Sequence, residues 1–146
     1  MPEGPIQILE VRANGTERSV TVTAALTAGA ADAIFIALSE QLDRGRRYLT
    51  ESVEDVLALR RRIELVERFA PLARAAAHSI VQLSEDELRC CLLELSDYRE
   101  RVDGEHYQPV DLRQRLQLTV QIIAVLWDTN ATVAAAADGL LNCAAQ

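Results

Sequence analysis

The chain has 146 residues, of which 49% are hydrophobic and 25% charged, with a formal net charge of -7 and a pI near 4.8. Such a composition excludes a disordered chain, and its length is enough to bury a core within one domain spanning residues 1–146 without disulfides or metal. The acidic balance repels phosphate backbones at long range, so nucleic acid is not expected as a partner.

In chain order, the first 26 residues read as β structure. Ile6 to Ala13 and Arg18 to Leu26 are rich in Ile, Val and Thr, and Asn14-Gly15-Thr16-Glu17 between them is a hairpin signal, giving a hairpin over 5–26. A four-residue loop there places Val11 opposite Val20 and Leu9 opposite Val22 on one apolar face, with Glu10 and Arg12 meeting Thr21 and Ser19 on the other. A two-residue loop at Asn14-Gly15 would pair Val11 with Arg18, which the apolar match disfavours.

Helical spacing then takes over. Ile34, Leu38 and Leu42, with Phe35 beside them, predict a helix over 28–44 with Gly45 as its C-terminal cap. Thr50 or Ser52 can cap a second helix over 51–70, whose stripe is Val53, Val56, Leu57, Ile63, Val66 and Ala70. Pro71 either kinks that helix or starts another; the latter is favoured, giving a helix over 71–83 that carries Leu72, Ala76, Ile80 and Leu83. Ser84-Glu85-Asp86-Glu87 is a capping box for a helix over 85–103, with Leu88, Cys91, Leu92, Leu95, Tyr98 and Val102 on one face. Asp111 to Gln114 starts a helix over 112–128, and the alanine-rich run predicts a short final helix over 131–141 with a frayed tail. The expected fold is mainly α with a small β element: an N-terminal antiparallel β-hairpin followed by a bundle of about five helices, an α+β chain.

Chemistry-bearing residues are sparse. Asp97, Glu100, Asp103, Glu105 and His106 are the densest mix of carboxylate and imidazole, yet they suit the polar side of a helix and a turn. His78 and His106 are the only two histidines, too few for a multi-histidine zinc or di-iron site, and His78 reads as a structural residue. Adjacent Cys90 and Cys91 diverge by about 100° on a helix and cannot act as a spaced redox or zinc pair; Cys91 reads as core, Cys90 as packing, and Cys143 as a tail thiol. With three cysteines and no secretory start, reduced thiols in a cytoplasmic setting are expected. All 15 basic residues are arginine. The clusters Arg44-Arg46-Arg47 and Arg60-Arg61-Arg62 fan around their helices and suit salt bridges to Glu64, Glu67 or neighbouring helices. Leu116 to Trp127, interrupted by Gln117, Thr119 and Gln121, falls short of the roughly 20 apolar residues that cross a bilayer, so neither a transmembrane helix nor a membrane partner is expected.

No catalytic, cofactor or metal residue is therefore expected, and no cofactor. The leading expectation is a small cytoplasmic interaction or assembly module, a homodimer or the partner of another protein. Its candidate interaction surface comprises Leu9, Val11, Val20, Val22, Tyr48 and Trp127: two copies would pair their hairpins across a two-fold axis into a four-stranded sheet, or join helix to helix through surfaces around Tyr48, Cys90, Leu93 or Trp127. A DNA-binding regulator using the arginine clusters is the runner-up. A small-molecule-binding protein or enzyme, with His78 or Tyr98 in a pocket between helices, comes third.

Overall fold

The computed structural model describes residues 4–47, 53–75, 77–104 and 109–145. Its elements are β1 (Ile6–Asn14), β2 (Ser19–Leu26), α1 (Ala28–Arg47), α2 (Val53–Arg74), β3 (Ser79–Ser84), α3 (Glu85–Asp103) and α4 (Val110–Ala145). The architecture is mainly helical with a small antiparallel sheet. The hairpin is present, but a third strand joins it in the order β1-β2-β3, and the described residues form four helices rather than about five.

The hairpin register lies two residues from the expected one: Val11 faces Val22, Ala13 faces Val20 and Asn14 faces Ser19. The cause is at the turn. Asn14 stays in the strand while its Oδ1 accepts from the backbone N–H groups of Thr16 (3.1 Å) and Glu17 (3.3 Å), and Arg18 closes the loop at φ 52. The loop is thus Gly15 to Arg18, one residue later than read from sequence. A bulge between Ile8 and Glu10 then shifts the strand's phase. Simple alternation from Val11 would send Leu9 and Gln7 inward; the extra residue turns Ile8 and Ile6 to the core instead, opposite Ala24 and Leu26, and leaves Leu9 48% exposed.

The core face of the sheet consists of Ile6, Ile8 and Val11 on β1, Val20, Val22, Ala24 and Leu26 on β2, and Val81 and Leu83 on β3. Its other face carries Gln7, Glu10, Arg12, Ile80 and Gln82, all exposed, the usual division of an antiparallel sheet with one solvated side.

The expected helix over 71–83 is not formed. α2 runs through Pro71 to Arg74, where the lost donor costs a single bond in the last turn, and Ala75 N–H closes onto the Pro71 carbonyl at 3.1 Å. The following Ser79-Ile80-Val81-Gln82-Leu83-Ser84 pairs with the open edge of β2. Val81 and Leu83 are buried while Ile80 is 67% exposed, a period of two rather than 3.6. Leu83→Ala should therefore cost at least about 2 kcal/mol and Ile80→Ala about 0.5 kcal/mol or less in urea titrations; equal losses would mean the two share a face, as a helix requires.

α1 begins where Thr27 Oγ1 accepts from Ala30 N–H at 3.1 Å, and it continues through Gly45, a residue that weakens a helix by about 1 kcal/mol without stopping it. Ala30, Ala31, Ala33 and Ala37 on its buried side permit close approach of α2, α3 and the sheet. The Thr50 and Ser52 caps expected for α2 lie outside the described residues. α3 starts as read: Ser84 Oγ accepts from Glu87 N–H (3.2 Å), and Glu87 Oε1 accepts from Ser84 N–H (3.0 Å).

The two expected C-terminal helices are one. α4 is a continuous helix of 36 residues, about 54 Å long. Thr129, between the two predicted pieces, donates its hydroxyl back to the Val125 carbonyl, and Thr119 and Thr132 do the same to Arg115 and Asp128, so these three side chains are satisfied inside the helix. An 18-residue window of mean hydropathy 1.3 inside its Val110–Leu140 stretch has, by length and composition alone, the character of a bilayer span, longer than the segment read from sequence. α4 nevertheless packs lengthwise on α3, α1 and the β1-β2 hairpin through Leu116, Thr119, Ile122, Leu126, Thr129 and Val133.

Candidate functional site

Two places on the molecule merit attention: a polar cleft between α2 and α3, and the outer side of α4. In the cleft, the arginine cluster of α2 is spent on carboxylates. Arg60 pairs with Glu64 on its own helix (3.5 Å), while Arg61 reaches Asp86 (3.7 Å) and Arg62 reaches Glu94 (2.9 Å) on α3. Arg68 adds a third bridge between the helices, 2.6 Å from Glu87, and donates to the Gln82 carbonyl of β3 at 3.3 Å. The reading of Arg60 to Arg62 as ion-pairing residues matches this geometry; the side chains of Arg44 to Arg47 lie outside the described residues.

Among these pairs only Glu94 is deeply placed, its side chain 5% exposed against 30% for Arg62. Burial pushes the Glu94 carboxyl above the ordinary carboxylate range, opposed by the Arg62 charge and by hydrogen bonds from Arg62 and the Gln41 side-chain amide. Gln41 Oε1 and the Ser39 hydroxyl, both buried on α1, have no hydrogen-bond partner. Glu87 behaves oppositely: burial raises its pKa, but Arg68 and the Ser84 cap together outweigh it and hold the carboxyl low.

The cleft above Glu94 has a volume of about 160 Å³, with Ala58, Cys90 and Leu93 among its lining residues. Burial, with Glu94 adding repulsion, pushes the half-buried Cys90 thiol up to about 11, and the fully buried Cys91 is raised further. Both are neutral thiols near pH 7, without the lowered pKa of a cysteine nucleophile. Arg62 of α2 and Gln41 of α1 both donate to Glu94 of α3, so the arrangement ties three helices together. Its signal in the sequence is one carboxylate within the apolar stripe Cys91-Leu95-Tyr98 of α3, which the helix reading passed over.

Of the residues expected to form an interaction surface, Val20 and Val22 are 2% and 0% exposed. They are core, because α3 and α4 cover that side of β2. Val11 is half-buried against the same core, Leu9 and Trp127 are exposed, and Tyr48 lies outside the described residues. His78 is exposed and Tyr98 is buried, so neither opens onto a common pocket. Asp97, Glu100 and Asp103 are exposed on α3, Glu105 and His106 fall outside the described residues, and no cluster of three metal-ligating groups occurs among those described.

What the sequence reading missed is the pattern around Trp127. On α4, Val120, Ala124, Trp127 and Ala131 are all exposed and follow one another at steps of four, three and four residues, in a row that borders α3: Val120 lines a cleft with Arg99 and Asp103, and Ala134 and Asp138 line another with Arg18, Glu85 and Arg89. Gln117 and Ala134 extend the same spacing inward from Arg113 and Asp138 at the two ends, all four likewise exposed. Trp127 is 64% exposed at the centre. A repeat of 3.5 residues is the signature of a helix that packs along another helix, and here these side chains are left exposed by the described residues.

No family model, curated protein or solved structure matches this chain.

Proposed function

We propose that the protein is a non-catalytic interaction module that self-associates through the outer face of α4. The observation that carries this reading is the exposed heptad-spaced seam centred on Trp127. A large aromatic side chain in water amid small apolar neighbours is the composition of an interface hot spot with its surrounding contacts, and covering it recovers the area that folding left exposed. Gln121 beside the seam and the charges of Arg113 and Asp138 at its ends provide the polar rim that keeps such an interface specific. The DNA-binding alternative draws no support from Arg60, Arg61 and Arg62, which already face carboxylates.

Trp127 is the single tryptophan of the chain and so reports on its own surface. Wild-type protein should form a concentration-dependent oligomer by light scattering, with Trp127 shielded from acrylamide at high concentration and accessible on dilution. Trp127→Glu should weaken association at least about thirty-fold while leaving the far-ultraviolet circular dichroism unchanged. Monomeric wild-type protein at every concentration, or a Trp127→Glu variant as tightly associated as wild type, would refute the proposal.

A further inference from the structure

We infer that the surface covering this seam is the same seam of a second copy, laid antiparallel about a two-fold axis, so that assembly closes at two. The inference rests on the self-association proposed above and specifies its geometry. When α4 is reversed against itself with Ala124 opposite Trp127, three further juxtapositions follow from residue spacing alone: Val120 meets Ala131, Gln117 meets Ala134 and Arg113 meets Asp138. Each large side chain then faces an alanine. The two-fold repeats all four contacts, and Gln121, flanking the seam, comes beside Asp128 of the second copy and can donate to its carboxylate.

Charge settles the direction. Neither Arg113 nor Asp138 makes an ion pair among the described residues. Antiparallel pairing brings these opposite charges together at both ends of the seam. In a parallel pair every residue meets itself, which stacks Arg113 on Arg113, Asp138 on Asp138, one tryptophan on the other, and alanine on alanine across a gap. A head-to-tail contact of the seam with some other surface would build an open chain or a ring of more than two copies, whereas seam on seam closes at two.

A charge-reversal cycle at low ionic strength tests this by sedimentation equilibrium. Arg113→Asp and Asp138→Arg each create two like-charge contacts in the antiparallel dimer and should each weaken it about fivefold, and the double variant should return to within about twofold of wild type. Parallel pairing predicts no such rescue, because each reversed residue still meets its own copy. A dimer whose affinity ignores the single changes, or a double variant weaker than both singles, would overturn the antiparallel register while leaving self-association through α4 standing. Species larger than a dimer would overturn closure. A monomeric wild type would overturn both.

Discussion

Arg62→Ala should destabilise the protein by about 3 kcal/mol near pH 7, because it strands the Glu94 carboxylate at the floor of the α2–α3 cleft with only the Gln41 amide for company. The figure is at the low end for breaking a buried pair, since Arg62 is 30% exposed and its removal admits some water. Glu94→Gln should cost less, about 1 kcal/mol, because the charge disappears with the partner and the remaining guanidinium can reach solvent. Combining the two should recover much of the Arg62→Ala loss, a coupling that a double-mutant cycle in urea reads directly.

The pH dependence has a definite sign. Burial raises the folded-state pKa of Glu94 above its ordinary 4.5, so its contribution favours folding below that value and is lost as pH rises through the folded pKa. Taking away Arg62 removes the group that restrains the rise. The deficit of Arg62→Ala relative to wild type should therefore be greatest near neutrality and shrink as the buried carboxyl takes up its proton in acid. Glu87 runs the other way: its lowered pKa contributes stability present above 4.5 and lost as pH falls through the folded value, opposite in sign to the contribution of Glu94. An Arg62→Ala deficit that stayed constant from about pH 7 to about pH 4 would show that Glu94 becomes hydrated once its partner is gone.

Phe69→Ala should cost about 3–5 kcal/mol, a large part of the 5–15 kcal/mol that a folded chain typically holds, and lower the midpoint of thermal unfolding by about 10 °C or more. The reason is how little anchors α2. Arg60, Arg61, Arg62, Glu64, Glu67 and Arg68 give it a charged surface, and its fully buried side chains among the described residues are Leu65 and Phe69, four apart on one face and each 0% exposed. Salt bridges of exposed residues such as Arg61–Asp86 replace little of that apolar burial. Phe69 also precedes the turn into β3, so loosening it should expose β3 amides to hydrogen exchange ahead of those in α3. A loss below about 1 kcal/mol would mean that α2 rests on the surface without joining the core.

The sequence by itself determined those features whose hydrogen bonds close within about four residues. Ser84 and Glu87 contain both halves of a capping box, so α3 forms as read. Asn14 carries the side-chain acceptor that folds the hairpin, and the first arginine of the Arg60-Arg61-Arg62 run meets its carboxylate one turn on at Glu64. The absence of a nearby long-range partner is also why the other readings drifted. Six residues from Ser79 to Ser84 satisfy a helical or an extended pattern equally, and only the open edge of β2, more than fifty residues earlier, makes them a strand. The Leu9 bulge follows from the need to turn Ile6 and Ile8 toward helices that the strand does not encode. Gly45 and the Asn130-Ala131-Thr132 step look like stops in isolation, and at the latter continuous packing of Ile122, Leu126, Thr129 and Val133 on α3 and the hairpin holds α4 in one piece. The candidate surface changed for the same reason: apolar valines and an apolar tryptophan read alike along a chain, and tertiary packing alone decided that Val20 and Val22 are covered while Trp127 and its heptad neighbours face outward.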